Sequence, residues 1–315
     1  MSELGFKVSV IIPVFNAEGF IRRTVNSVIN LNDVGEILII DDGSTDNSSV
    51  ICTEIANEVE MARFFQHNDK KNHGIAATRN LGIKLSNCEY ISFLDADDLY
   101  LPNRFKEDKL IFENNSDAEV VYGCCENIFL TEKGENEYKT RHVYRPNNRY
   151  TIDKRVSSKE LFHTLLFGEH GQIHTSAITI KKSAFTKTGM FNTKLYFTDD
   201  TDMWFKLSLK TIMLAGSIAE PISLRSMHDN NITNDKANRE KYTVKMYYSF
   251  FKWALNQKLS FSCLHNIFMV LKWKSKGYNY NDNVFFWFYF TVNPFIMFNI
   301  FFWKKLHLLY FVRNK

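Results

Sequence analysis

Four short apolar runs, each ending in polar residues, leave few folds open to the first hundred residues. They are "VSVIIPV" (8–14), "EILIIDD" (36–42), "ARFFQH" (62–67) and "YISFLD" (90–95). Such runs, rich in β-branched and aromatic side chains and with little alternation, suit strands buried on both faces, as in a parallel sheet. Between them lie segments with helical spacing, at 17–30, 47–59 and 74–86. In the first of these, Phe20, Ile21, Val25, Val28 and Ile29 share one face. Ser44 or Asp46 is placed to cap the second. The βαβαβαβ order predicts an α/β fold with a mostly parallel sheet and helices on both faces. Ligands of such sheets bind at the carboxyl ends of the strands. Here those ends read "PVFN", "DDGSTD" and "DADD", so acidic groups collect along one edge.

The last of these ends is the most demanding. Asp95, Asp97 and Asp98 fall within four positions, and crowded carboxylates repel and resist dehydration. A divalent cation among them would neutralise the charge and grip a diphosphate. If the strand continues, Asp95 and Asp97 point the same way and small Ala96 leaves room. An Asp-rich loop capping the helix after Pro102 accounts for the cluster equally well. Asp42 in "DDGSTD" and Arg79 in "GIAATRN" have local readings too, a turn and a surface ion pair. Their functional readings are a nucleobase contact and a phosphate partner.

Further along, 101–115 reads as a helix and 119–130 as a strand. Residues 131–157 are polar and basic, and a hairpin or mobile loop is expected there. "SKELFHTLLFG" is helical, "TSAITIKKSAF" a strand and turn, and "DDTDMWFKLSLK" a helix with Trp204 and Leu207 inward. "IMLAGSI" and "PISLRSMH" are strand-like, and helices follow from about Asn238.

Taken in series, "VSVIIPVFNAEGFIRRTVNSVI", "EILIIDDGSTDNS", "NHGIAATRNLGI" and "YISFLDADDLYLP" resemble the signature of glycosyltransferase family 2. The likeness is strong over 7–112 and weaker through "GMFNTKLYFTDDTDMWFKL" and "LRSMHDNNIT" to about 233. It implies a GT-A fold at 1–233, with a Rossmann-like nucleotide-sugar half (1–115), an acceptor half (116–233) and a helical C-terminal region (234–315). It implies inverting sugar transfer from a nucleotide diphosphate sugar, UDP by family habit. Phe15, Glu18 and Asp42 match nucleobase positions, with Phe15 standing where relatives often have Tyr. Arg79 matches a residue reaching the base or diphosphate, Asp95 the acid near the ribose, and Asp97 the ligand of Mn²⁺ or Mg²⁺. Asp200 takes the place of the general base, with Asp199 where Glu is commoner, and His228 completes the metal shell. Asp202 reads as helix N-terminal chemistry favoured by the macrodipole. A sugar nucleotidyltransferase or a non-catalytic nucleotide-sugar binder are the alternatives. The first lacks its glycine-rich loop in "PVFNAEG".

A net charge of +4 is too small to point to nucleic acid. Five cysteines without a CxxC pair, behind a start that does not resemble a secretory leader, suggest reduced thiols in the cytoplasm. "VFFWFYFTVNPFIMFNIFFW" (284–303), followed by Lys304, Lys305, Arg313 and Lys315, is long enough to span a bilayer. Asn293, Pro294 and Asn299 interrupt it, so peripheral attachment to the inner face of the membrane is expected. A polyprenyl-diphosphate-linked or other glycan acceptor would fit that location.

Overall fold

The computed structural model describes residues 5–141, 148–229, 231 and 236–275. Seven strands form the central sheet: β1 (Val8–Val14), β2 (Val34–Asp41), β3 (Ala62–Gln66), β4 (Tyr90–Phe93), β6 (Val120–Tyr122), β9 (Ile178–Lys181) and β10 (Met213–Ala215), in the order β10-β6-β9-β4-β1-β2-β3. Strands β1 to β4 are mutually parallel, and β9 runs antiparallel between β4 and β6. A second sheet joins β5 (Leu99–Tyr100), β11 (Pro221–Met227), β7 (Cys124–Phe129) and β8 (Arg149–Tyr150). The chain therefore has the expected α/β architecture.

Every residue of β1 is buried, which is why its sequence does not alternate. Val8, Val10, Ile12 and Val14 pack on the side of α1 (Ile21–Asn26) and α2 (Ser48–Glu58), through Ile21, Val25, Cys52 and Ile55. Ile11 points the other way, toward α3 (Ile75–Leu85). There Gly82 lets helix and strand close up: a Cβ on it would stand 2.4 Å from Ile11 Cγ2. The first helix is shorter than its apolar face suggested, with regular α geometry over six residues only. The N-cap of α2 is Asn47, neither Ser44 nor Asp46, although Asp46 Oδ1 accepts the Ser48 N–H at 2.9 Å.

Register brings the strand tips level. Val14 pairs with Asp41, and Asp41 with Gln66. Phe15, Asp42 and His67 therefore emerge together at one edge, with Asp95 two residues beyond β4. Between α4 (Lys106–Asn114) and β8 the structure departs from the sequence reading. Part of 131–157 is helix α5 (Glu132–Arg141), leading to β8, not a hairpin or loop. Its charged face hid a helix whose buried contact is Tyr138 on Phe129.

Helix α6 (Ser158–Phe167) is closed by a capping box of Ser157 and Glu160 and ends at Gly168 in the left-handed region. After α7 (Ala184–Thr188) comes α8 (Asp199–Lys210), whose first turn carries Asp199, Asp200 and Asp202. Asp202 is buried and ion-paired with Lys206 one turn on. Helices α9 (Lys236–Leu255) and α10 (Phe261–Lys274) form the expected C-terminal extension. The chain divides into one compact unit, Met1–Met246, and a second that starts at Tyr247. No described helix is long and apolar enough to cross a membrane. The aromatic stretch 284–303 lies outside the described residues.

Candidate active site

The strand β4 ends at Phe93, so the four residues after Leu94 are not extended. They form a turn, closed by the Asp98 N–H on the Asp95 carbonyl at 3.0 Å. The period-two argument for Asp95 and Asp97 fails for that reason, and the three acids go to three different partners. Asp95 meets Arg79, Asp97 meets His228, and Asp98 turns into the interior.

Arg79 is the hub. It is 3% exposed on the buried face of α3. One terminal nitrogen donates to Asp95 Oδ1 and the other to Asp199 Oδ2, each at 2.8 Å. The guanidinium also lies 5.7 Å from the centre of the Phe191 ring. One planar fork thus ties the end of β4 to the first turn of α8. Burial pushes the Asp95 carboxyl up, but Arg79, with smaller help from Arg225, holds it below its usual range. Burial carries Asp199 up to about 7 against the pull of Arg79, helped by the neighbouring charge of Asp200. Asp200 is raised too, by burial, although Arg79 and the Thr201 N–H at 2.6 Å favour its ionised form.

Asp97 Oδ2 lies 2.9 Å from His228 Nε2, linking the turn after β4 to the residue just after β11. The imidazole stacks on Phe20, with centroids 4.7 Å apart and planes 22° apart. Asn231 holds the loop by accepting the His228 N–H at 2.6 Å and donating toward Asp97 at 3.4 Å. Arg23 donates to the Asp97 carbonyl at 3.0 Å. A carboxylate oxygen and an imidazole nitrogen this close can reach one divalent ion, and the mixed set fits Mn²⁺ better than Mg²⁺, which takes oxygen ligands.

At the tips of β1 and β2, Phe15 is 46% exposed, with its ring open to a planar ligand. Asp42 is nearly buried: its oxygens accept the N–H groups of His73 at 2.7 Å and Gly74 at 2.9 Å, before α3. Gly74 has φ of 85°, a conformation that glycine takes without strain. Glu18 accepts the backbone N–H and side-chain amide of Asn47, both at 2.9 Å, and so braces the start of α2.

Asp98 and two further residues, His174 and Arg225, complete the site. Asp98 is buried, accepts the Ser176 hydroxyl at 2.7 Å and the Ser226 N–H at 3.0 Å, and is raised well above its usual range by burial and by Asp97 and Asp95. His174 is also buried, and burial, with Arg225 and Arg79 beside it, pushes its imidazole down to about 3, so it stays neutral. Ligand atoms of Asp95, Asp98 and His174 lie within 4.8 Å of one another. Arg225, on β11, lies 5.6 Å from the Tyr150 ring and close enough to Asp97 and Asp98 to feel both. Asp98 stands out in the sequence as part of the acidic cluster, but nothing there marks it as the acid that turns inward.

The family model "Glycosyl transferase family 2" matches residues 9–185, more than half of the chain. The chain belongs to that family. It is similar to an uncharacterized glycosyltransferase of Rickettsia typhi, 28% identical over 255 residues, covering 80% of this chain and 74% of the relative. It is also similar to the minor teichoic acid biosynthesis protein GgaA of Bacillus subtilis, 26% identical over 251 residues, covering 75% of this chain and 51% of GgaA. Of two further Rickettsia relatives it spans 58% and 31% of the length. Among solved structures, S. aureus TarS 1–349 in complex with UDP-GlcNAc superposes with a TM-score of 0.62 at 16% identity, over 84% of this chain and 70% of that one. A mannosyltransferase from Pyrobaculum calidifontis, in complex with GDP-Man and Mn²⁺, superposes at 0.56 and 14%, over 85% and 71%. The fold is therefore GT-A, and the protein is a glycosyltransferase.

Proposed function

We propose that the chain transfers a sugar, with inversion, from a UDP-sugar to a hydroxyl of a surface glycan or lipid-linked glycan. The observation that carries this reading is the double ion pair of Arg79, which locks the acid at the end of the donor strand to the helix that presents Asp200. A displacement needs a leaving diphosphate and a proton acceptor held in one fixed relation, and this bridge supplies it.

In that reaction Phe15 packs on the nucleobase and Asp42 accepts from its ring N–H through the lone pairs that His73 and Gly74 leave open. Asp95, oriented by Arg79, holds the ribose. Asp97 and His228 would hold a divalent ion, which when bound offsets the charge of the diphosphate. Asp200 takes the proton of the acceptor hydroxyl as oxygen attacks the anomeric carbon from the face opposite the diphosphate. Burial raises its affinity for that proton. The TarS complex with UDP-GlcNAc supports the donor, GgaA the glycan acceptor, and the Mn²⁺ of the Pyrobaculum enzyme the metal. Attachment to the cytoplasmic face of a membrane through 284–303 completes the reading; its support is the run of aromatic residues beside lysines.

A panel of nucleotide sugars, incubated with the full chain with and without Mn²⁺, tests it. One donor, a UDP-sugar, should be hydrolysed slowly without acceptor, and EDTA or His228→Ala should stop this. Binding without turnover would identify a non-catalytic binder. Consumption of a sugar phosphate with a nucleoside triphosphate would identify a nucleotidyltransferase.

A further inference from the structure

Four residues before Asp200 the chain exposes a ring that the mechanism above does not use. Tyr196 is 48% exposed. Its ring meets Phe197 edge-on, with centroids 4.8 Å apart, and lies 5.9 Å from Tyr242 of α9; Phe197 and Tyr242 are 5.5 Å apart. Thr198, the residue that starts α8, donates its hydroxyl to the Tyr242 carbonyl at 3.4 Å. The three rings are therefore fastened to the backbone that presents Asp199 and Asp200. Among the described Phe, Tyr and Trp residues of the first unit, the only other strongly exposed rings are Phe15 and Phe167.

On the helix side of the rings cations outnumber acids. Lys245 Nζ stands 5.2 Å from the centre of the Tyr242 ring. Lys241, exposed, lies one helical turn before it on the same face of α9. Lys194, also exposed, precedes Tyr196 by two residues. Between 236 and 246 there are four cations and one acid, Glu240.

A sugar ring carries apolar C–H faces that lie well on aromatic faces, whose electrons the slightly positive C–H groups meet. Lysines beside such a surface select for anionic substituents. We propose that Tyr196, Phe197 and Tyr242 form the platform on which the acceptor glycan rests, and that Lys241 and Lys245 bind a negatively charged group on it. The acceptor is then an anionic glycan, bearing phosphate or carboxylate. This rests on the reading of Asp200 as the base, because the platform is what would bring a hydroxyl to it.

Calorimetry with the full chain tests the platform directly, using three probes: a teichoic acid, a hyaluronan oligosaccharide and neutral chitotetraose. At least one anionic probe should bind more tightly than chitotetraose, and which one names the anion. Tyr196→Ala, at an exposed position, should weaken that binding roughly tenfold, while Tyr196→Phe, which keeps the ring face, leaves it unchanged. Lys245→Glu should remove the preference for the anionic probe. Binding of Tyr196→Ala equal to the parent, equal affinity for neutral and anionic probes, or no binding of any probe would each overturn the proposal. Acceptor-free hydrolysis of the donor should be unchanged in both Tyr196 variants and in Lys245→Glu. Its absence from the parent chain would count against the transferase reading, and the calorimetry would still judge the platform.

Discussion

Replacing Arg79 with methionine keeps most of the side-chain volume on α3 and removes the charge that two acids share. Asp199, with its side chain 4% exposed, is left buried and unpaired, while the Asp95 side chain is 28% exposed and shares its charge with water. Breaking a buried pair from one side costs about 3–5 kcal/mol. The low end applies, because Asp95 is partly solvated and Asp199, already pushed up to about 7, can take up a proton. A loss of about 3 kcal/mol lowers the melting temperature by roughly 6–12 °C in a unit of this size. The sign with pH follows from a carboxyl raised in the folded state. The unfolded chain gives up that proton more readily, so the penalty grows as pH rises, and the gap to the parent widens above pH 7. Thermal unfolding followed by circular dichroism measures it. The decisive variant is the double one, Arg79→Met with Asp199→Asn. If the cost comes from an orphaned acid, neutralising that acid restores more than half of it. A double variant as unstable as the sum of its parts, or Arg79→Met melting within 2 °C of the parent, would refute the bridge as an electrostatic element.

Two other outcomes follow from the same geometry. Asp200→Asn should lower transfer by about 10²–10⁴ while leaving donor binding intact, and the parent's rate should climb along an acid limb lying above the ordinary carboxylate range, because a raised carboxyl must lose its proton before it can accept one; a rate flat down to pH 5 would remove Asp200 from the role. A chain ending at residue 279 should move from the membrane fraction to the soluble one while still binding nucleotide, and one that stays with the membrane shows that 284–303 is not the anchor.

Helix α5 and the "DADD" turn show where reading by pattern stops. The helix is built from charged residues with one ring inward, so its periodicity is too faint to register. The sequence leaves strand and loop equally open for the turn, because a chain can reverse in four residues without any change in composition. In the sequence Asp199 shows only as an Asp where Glu is commoner. It is the partner of Arg79, 120 positions away in the chain.

The four apolar runs and the polar groups at their ends were enough to mark the four parallel strands of the sheet and the edge at which their polar tips gather. These depend on spacing along the chain, and burial on both faces imposes that spacing locally. Which acid meets which partner was settled only in three dimensions. Arg79 between Asp95 and Asp199, His228 against Asp97, and His174 buried beside Asp98 are contacts between segments that share no local pattern. Their energies come from desolvation and distance, which exist only once the chain has closed on itself.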